Sequence, residues 1–230
     1  MIWNSLSRRF NNDYKLLSTH GLPEEKQRKL FRKYLCYVEV ELFSFCNRRC
    51  WFCPNSRIDR LGRNHFLPEK TYLSLLEQLA KLKFSGQISF SRYNEPLADR
   101  IIMERLEQAR AILPGVRLHS NTNGDYLNAE YLEQLKARGL NSLCIQNYQV
   151  DGRNRPELFA DMEAILQRLN IPPDKVARKT ELTWLECVYQ EQNFILMVRS
   201  RNFHKDGNSR GGALAESAVP RVLKRTMDYM

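Results

Sequence analysis

Cys46-Asn47-Arg48-Arg49-Cys50-Trp51-Phe52-Cys53 is the stretch that decides how this chain of 230 residues is interpreted. Its three thiols follow the spacing C-x3-C-x2-C, directly after a segment from Tyr37 to Phe43 in which apolar and polar residues alternate. Three thiolates on one short loop can hold three irons of a [4Fe-4S] cluster and leave the fourth iron without a protein ligand. An open metal position is typical of a site that binds and activates a second molecule. The spacing therefore predicts chemistry at a cluster.

The same residues resemble the signature of the radical S-adenosylmethionine (radical SAM) superfamily, C-x3-C-x-(aromatic)-C, with Phe52 in the aromatic position. The resemblance implies that Cys46, Cys50 and Cys53 bind a [4Fe-4S] cluster and that S-adenosylmethionine chelates its open iron. One electron from the cluster then cleaves S-adenosylmethionine to a 5′-deoxyadenosyl radical, which abstracts hydrogen from a substrate. In such an enzyme the protein positions the cofactor and excludes side reactions.

Three alternatives remain open for these cysteines. A structural Cys3His zinc site would close tetrahedrally with His65, which eleven residues separate from Cys53. A cluster-bearing electron carrier and a group of incidental buried thiols are the others. Free cysteine is among the most buried residue types, and we expect the scattered Cys36, Cys144 and Cys187 to be core thiols.

Composition limits the classes of protein to consider. Hydrophobic residues make up 43% of the chain, which is not a disordered composition. No apolar run approaches the roughly 20 residues of a membrane span, and the first residues lack the apolar stretch of a signal peptide, so we expect a cytoplasmic protein. The net charge is +10, but Lys and Arg alternate with Glu along the helices, which argues against a nucleic-acid partner.

Strand and helix patterns alternate four times from residue 37 to residue 169, as in βα units on a parallel sheet. Two more strands are predicted over 182–188 and 194–199. With the resemblance, this predicts an α/β fold, a partial (βα)6 TIM-like barrel of the radical SAM type with N- and C-terminal helical appendages. We expect an appendage over 1–34, the barrel over 35–200, and a loop with a last helix over 201–230. The cysteines follow the first strand, at the rim where βα barrels carry their active sites.

Residues 91–97 follow the second strand and resemble the superfamily's G-G-E-like motif, which commonly ends in Glu-Pro-Leu. Here Tyr93, Asn94 and Glu95 occupy the motif, so both glycines are replaced. The resemblance implies contacts from this segment to the methionine amino group of the cofactor, made by backbone atoms. The residues alone, without the resemblance, predict a turn with a solvated Glu.

Later strand ends supply the remaining candidates. The turn Asn121-Thr122-Asn123-Gly124 resembles a T-N-G turn of the superfamily, and Ser120, Asn121 and Asn123 are candidates to contact the cofactor's sugar or the substrate. Gln146 stands where many relatives have a serine near the ribose. Arg199 ends the last predicted strand, and its bidentate fork suits the methionine carboxylate, although a surface arginine is an equal alternative.

Two further features bear on substrate and partners. Glu39 and Glu41 share one face of the first strand, and we interpret them as a structural network with Arg or Lys. Residues 208–212 are similar to a segment of SPASM and Twitch proteins, radical SAM relatives with C-terminal auxiliary clusters, but no such cysteines follow here. The resemblance implies an enzyme with oxidoreductase or transferase-type chemistry that acts on a peptide or small polar substrate, with a reductant such as flavodoxin or ferredoxin. A missing C-terminal extension is an open alternative.

Overall fold

An open seven-stranded sheet organises the computed structural model, which describes residues 21–62, 64–148, 155–180 and 184–201. The strands are β1 (Tyr37–Glu39), β2 (Gln87–Ser89), β3 (Arg117–Thr122), β4 (Ser142–Tyr148), β5 (Val176–Thr180), β6 (Trp184–Glu191) and β7 (Phe194–Arg201). The helices are α1 (Glu24–Tyr34), α2 (Glu69–Lys81), α3 (Ile101–Ile112), α4 (Ala129–Ala137) and α5 (Arg155–Arg168). Short 3-10 turns cover Pro54–Ser56 and Pro173–Lys175.

The strand order is β1-β2-β3-β4-β7-β6-β5, and the neighbours from β1 through β4 to β7 are parallel. This confirms the α/β class and the open, partial-barrel arrangement. The regular alternation ends after β4, because β6 pairs antiparallel with β7 and β5 pairs antiparallel with β6. A turn of two residues joins β6 to β7, and a connection so short permits only an antiparallel hairpin.

The helices α2 to α5 contribute apolar residues to the core, and local signals in the sequence set helix limits. Asn128 caps α4, since its side chain accepts a hydrogen bond from the Tyr131 amide at 2.8 Å. Gly139 follows α4 with φ of +88°, a conformation that favours glycine. Leu76, Leu106 and other apolar residues of the helices are fully buried in one core with the strands. Residues 1–20 and the predicted loop and helix after residue 201 lie outside the described part.

Two predictions about residue environments have opposite outcomes. Cys144 and Cys187 are buried as expected, whereas Cys36 is exposed because it lies just before β1 at the open edge of the sheet. None of the α1 residues, all of which are described, is buried. Within the described residues, no helix is both long enough and apolar enough to cross a membrane.

Candidate functional site

A cavity of about 360 Å³ opens at the carboxyl ends of the parallel strands. Each of the five parallel strands, or the loop that follows it, contributes to the wall, as expected where such ends meet at one edge. All three cysteines of the motif line this cavity. Of the other predicted site residues, the lining includes Phe52, Tyr93, Asn94, Glu95, Asn121, Asn123, Gln146 and Arg199.

The three thiols lie close enough to affect one another. Burial, followed by the nearby Cys53 and Cys46, raises the pKa of Cys50 to about 11. The pKa of Cys46 is also raised, first by burial and then by Glu95 and Cys53. Three crowded, half-buried thiols are unfavourable as free thiolates, and a bound cation reverses this by deprotonating them outright. The donor set therefore suits a [4Fe-4S] cluster in which three irons each take one thiolate.

A carboxylate from the end of the first strand segment fixes the turn at Tyr93 and Asn94. Glu41 Oε1 accepts hydrogen bonds from the backbone amides of Tyr93 at 2.5 Å and Asn94 at 2.8 Å. Arg60 Nη1 donates to both Glu41 oxygens at 3.2 Å and to the Ser44 carbonyl at 3.1 Å. The structural interpretation of Glu41 agrees with this network, which ties the turn to the cysteine loop.

Glu95 joins three segments of the cavity wall. Its side chain accepts hydrogen bonds from the Thr122 hydroxyl at 2.5 Å, the Asn123 amide at 2.7 Å and the Leu97 amide at 3.1 Å. Its own amide donates to the Phe45 carbonyl at 2.9 Å, just before the first cysteine. Glu95 is 2% exposed, so the alternative of a solvated glutamate in a turn is wrong. Burial raises the pKa of this carboxyl, while the three donors oppose that shift.

Asp125 anchors the cysteine loop to the turn after β3. Its carboxylate accepts from Arg48 Nε at 2.8 Å and from Asn47 Nδ2 at 2.8 Å, and Arg48 Nη2 lies 2.5 Å from the other oxygen. Asn123 Nδ2 donates to Asn47 Oδ1 at 2.8 Å. These bonds tie the segment between the first two cysteines to the turn after β3.

Aromatic and amide side chains complete the wall on the β4 side. The Phe52 ring lies against Tyr148, with 4.8 Å between the ring centroids. Gln146 Nε2 donates to Asn121 Oδ1 at 3.3 Å, and Asn121 Nδ2 donates to Ser91 Oγ at 3.1 Å. These amides form a polar layer across β2, β3 and β4.

The structure places Ser120 away from the cavity and Arg199 on its wall. Ser120 is fully buried on the other face of β3, where its hydroxyl is directed at the Phe90 carbonyl, because adjacent residues of a strand point to opposite faces. Arg199 lines the cavity, but its Nε and Nη2 donate to Glu186 Oε1 at 3.0 and 2.7 Å. The contact of Arg199 with the methionine carboxylate stays a prediction, and Glu186 is a partner of those two atoms within the described residues.

The zinc alternative depended on His65, which does not line the cavity. Its backbone amide donates to Ser44 Oγ at 2.9 Å and its carbonyl accepts from the Ser44 amide at 3.0 Å, in an exposed segment beside the Phe43–Phe66 bridge. In the described ranges, no three His, Cys, Asp or Glu side chains are grouped so as to hold a single metal ion.

Several lining residues were missed in the sequence. Arg48 lies between the first two cysteines, Asn55 lies two residues after the third, and Thr122 belongs to the T-N-G turn, so each could have been found from its distance to a motif. Asn55 Nδ2 donates to the Tyr93 carbonyl at 2.7 Å, and no local pattern predicts that contact. Glu39 also lines the cavity, where it pairs with Arg92 Nη1 at 2.8 Å.

Comparisons with known proteins agree with the cysteine signature. Residues 40–146 match the family described as the radical SAM superfamily. The S-adenosyl-L-methionine-dependent 2-deoxy-scyllo-inosamine dehydrogenase of Niallia circulans is 35% identical over 116 residues, which cover 50% of this chain and 46% of that protein. The chain thus spans about half the length of this curated relative.

Two crystal structures of BtrN are also similar to this chain. The complex with AdoMet and 2-DOIA is 30% identical, with a TM-score of 0.46, and the match covers 57% of this chain and 54% of that one. The open conformation is 34% identical, with a TM-score of 0.44 and coverage of 51% of each chain.

Proposed function

We propose that this chain is a radical SAM enzyme acting on a small polar molecule, since residues 40–146 match the radical SAM superfamily. The observation that carries the proposal is the meeting of the three cysteines, the Tyr93–Glu95 turn and Asn123 around one cavity. Radical SAM proteins use a [4Fe-4S] cluster and S-adenosylmethionine. When bound, these cofactors supply a 5′-deoxyadenosyl radical by one-electron cleavage of S-adenosylmethionine.

The chain's own residues would hold and orient these groups. Cys46, Cys50 and Cys53 supply the thiolates. Tyr93 and Asn94 form a turn whose amides are fixed by Glu41, so its backbone keeps one conformation, and this segment would contact the methionine end of the cofactor. Such preorganisation reduces the ordering cost of binding.

The amide layer gives the cavity hydrogen-bonding capacity for hydroxyl groups. Asn121 and Gln146 line it, and both carry donors and acceptors. The phenyl ring of Phe52 against Tyr148 forms an apolar wall beside them. This combination suits a polar ring or ribose that has one apolar face.

For the reaction we propose the oxidation of a carbon that bears a hydroxyl group. A relative 35% identical over 116 residues is named as a dehydrogenase, and its name states a small hydroxylated amine as substrate. A cavity of about 360 Å³ that must also take the cofactor favours a small molecule over a peptide. The electron needed for cofactor cleavage would come from a reductant such as flavodoxin or ferredoxin.

The test is anaerobic reconstitution with iron and sulfide, followed by assay of 5′-deoxyadenosine formed from S-adenosylmethionine with dithionite. We expect a brown protein that binds about four irons per chain and cleaves the cofactor. Cys50→Ala should lose both properties, whereas Cys36→Ala, at an exposed thiol away from the cavity, should keep them. A colourless protein that binds zinc would contradict the proposal. A brown protein that never cleaves the cofactor would favour an electron carrier.

A further inference from the structure

The turn after β2 already uses its main-chain groups for bonds within the protein. The amides of Tyr93 and Asn94 donate to Glu41 Oε1 at 2.5 and 2.8 Å. The carbonyl of Tyr93 accepts a hydrogen bond from Asn55 Nδ2 at 2.7 Å. The sequence motif predicts that backbone atoms of this turn contact the cofactor, and such contacts would compete with these three bonds. Recognition through side chains is the alternative that leaves all three bonds intact.

Two side-chain amides beside this turn each leave one polar atom unpaired. Asn55 Oδ1 and Asn94 Nδ2 are buried and form no hydrogen bond within the described residues. The two residues are 3% and 8% exposed, and both line the cavity. Buried polar side-chain atoms of native proteins are nearly always hydrogen-bonded. Two unpaired atoms in the wall of one cavity therefore indicate a position where a ligand binds.

The two atoms have opposite hydrogen-bonding roles, which identifies the chemistry of the ligand. Asn94 Nδ2 is a donor, because the Oδ1 atom of that side chain accepts from the Arg92 amide at 3.3 Å. Asn55 Oδ1 is an acceptor, because the Nδ2 atom of that side chain donates to the Tyr93 carbonyl. A ligand that satisfies both atoms must present an acceptor and a donor next to each other. The carboxylate and the amino group of an α-amino acid are such a pair.

Asn55 brings this pair of atoms beside the cysteines. It lies two residues after Cys53, and its side chain also interacts with the Cys46 thiol. Glu95, another acceptor in the cavity wall, already accepts from three donors of the protein. An amino acid bound to Asn55 and Asn94 would therefore lie next to the thiols, where the open iron of a [4Fe-4S] cluster takes its ligand.

We propose that the side chains of Asn55 and Asn94 bind the amino acid end of S-adenosylmethionine. Asn55 Oδ1 accepts from its amino group, and Asn94 Nδ2 donates to its carboxylate. The inference rests on the proposed function, since it takes S-adenosylmethionine as the cofactor of this chain. It replaces the predicted backbone contacts with side-chain contacts, one of them from the residue that stands in place of the motif's second glycine.

Calorimetric titration of the reconstituted protein tests the role of Asn94. The cluster is kept oxidised, under anaerobic conditions and without a reductant, so that no cofactor is cleaved. Asn94→Leu is compared with wild type for S-adenosylmethionine and for decarboxylated S-adenosylmethionine. We expect the variant to weaken binding of S-adenosylmethionine about tenfold or more, as for a lost hydrogen bond to a charged group. Binding of the decarboxylated ligand should change by under about twofold, since it lacks the acceptor for Nδ2.

The complementary titration tests Asn55 with a ligand that lacks the amino group. It uses Asn55→Leu and the desamino analogue of S-adenosylmethionine, in which hydrogen replaces the α-amino group. Loss of the bond to the Tyr93 carbonyl acts on both ligands alike, so the difference between them reports the contact to the amino group. We expect S-adenosylmethionine to lose at least about fivefold more affinity than the desamino analogue.

A matched control comes from another buried amide. Asn147 Nδ2 is also buried without a hydrogen-bond partner among the described residues, but Asn147 does not line the cavity. Asn147→Leu should bind S-adenosylmethionine within about twofold of wild type. In urea denaturation of the metal-free protein, Asn94→Leu and Asn147→Leu should both keep a midpoint close to that of wild type, because neither Nδ2 atom has a hydrogen bond to lose.

The outcomes distinguish this inference from the proposed function. Equal weakening of both ligands by Asn94→Leu, or of both by Asn55→Leu, would overturn the assignment of that side chain, because the effect would then be structural. Unchanged affinity of Asn94→Leu for S-adenosylmethionine, with a shifted reduction potential of the cluster, would assign Nδ2 to a cluster sulfur and overturn it too. If wild type binds a cluster but no S-adenosylmethionine, the proposed function fails instead.

Discussion

Replacing Thr122 with valine tests whether the Glu95 carboxylate holds the cavity wall together. Thr122 is 3% exposed, and its hydroxyl donates to Glu95 at 2.5 Å while accepting from the Gly124 amide at 3.0 Å. Valine keeps the volume but loses both bonds. A hydrogen bond to a charged group contributes about 1.5–3 kcal/mol, and an unsatisfied buried donor costs about 1–3 kcal/mol. Local rearrangement around the new valine recovers part of the lost hydrogen-bond energy, so we expect the free energy of unfolding to fall by about 3 kcal/mol in total.

The assay is urea denaturation of the metal-free protein under reducing conditions, followed by circular dichroism. Thr122→Ser is the matched control because it keeps the hydroxyl, and losing one methyl group should cost only about 1 kcal/mol. Metal-free protein is used so that the result reports the wall itself and not the affinity for a cofactor.

The pH dependence provides a second check on the same bond. Burial raises the pKa of Glu95, and the Thr122 hydroxyl stabilises its ionised form. As the pH falls through this raised pKa, the carboxyl becomes protonated and needs one donor fewer. The deficit of Thr122→Val relative to wild type should therefore shrink as the pH falls from neutral through the raised pKa of Glu95. A deficit under about 0.5 kcal/mol at neutral pH, or one that grows on acidification, would refute the reasoning.

Three further predictions concern the fold. Gly86→Ala should lower the free energy of unfolding by about 3 kcal/mol in the same urea assay, because the new Cβ would lie 2.3 Å from a backbone oxygen. Gly115→Ala is the control: a Cβ there meets no atom within 4 Å, so the free energy of unfolding should change by under about 0.5 kcal/mol. Asp125→Asn should lower the free energy of unfolding by only about 0.5–1 kcal/mol, since the side chains of Asp125 and Arg48 are 37% and 36% exposed. A loss above about 2 kcal/mol in the urea assay would contradict this and show a stronger ion pair. Burial lowers the pKa of His119, so the folded state resists protonation and stability is lost as the pH falls below about 6.5. His119→Gln should flatten that part of the pH profile of the melting temperature, and an unchanged slope would contradict this.

Local patterns in the sequence predicted most of the sheet and its helices. The alternation in the first strand, the Asn128 cap and the positive φ of Gly139 all depend on neighbouring residues, so a single sequence carries them. The pairing direction of β6 was missed although a turn of two residues separates it from β7. That turn is Gln192 and Asn193, and Gln192 adopts φ of +40° although it is neither glycine nor asparagine. The usual turn residues were absent at that position.

The site was predictable where a motif carried it and not where distant segments meet. Ser120 and Asn121 are adjacent in a strand, so only one of them can face the cavity, and the alternation alone does not say which. The partner of Arg199 could not be predicted, because Glu186 reaches it across a hairpin whose register depends on packing. Glu41 accepts a hydrogen bond from the Tyr93 amide, 52 residues later in the chain, and no local sequence pattern predicts that bond either.

The hydrogen bonds from the turn after β2 to Glu41 widen the choice of residues that the turn can accept. Tyr93 and Asn94 both have negative φ, and a carboxylate fixes their amides, so the backbone there does not require glycine. Tyr93 accordingly carries a large ring, with the guanidinium carbons of Arg60 and Arg92 at 5.6 and 5.3 Å from its centroid. A loop constrained through its main chain can exchange side chains at small structural cost. Positions 93 and 94 are therefore places where descendants of this fold can acquire new selectivity while the cysteines stay unchanged.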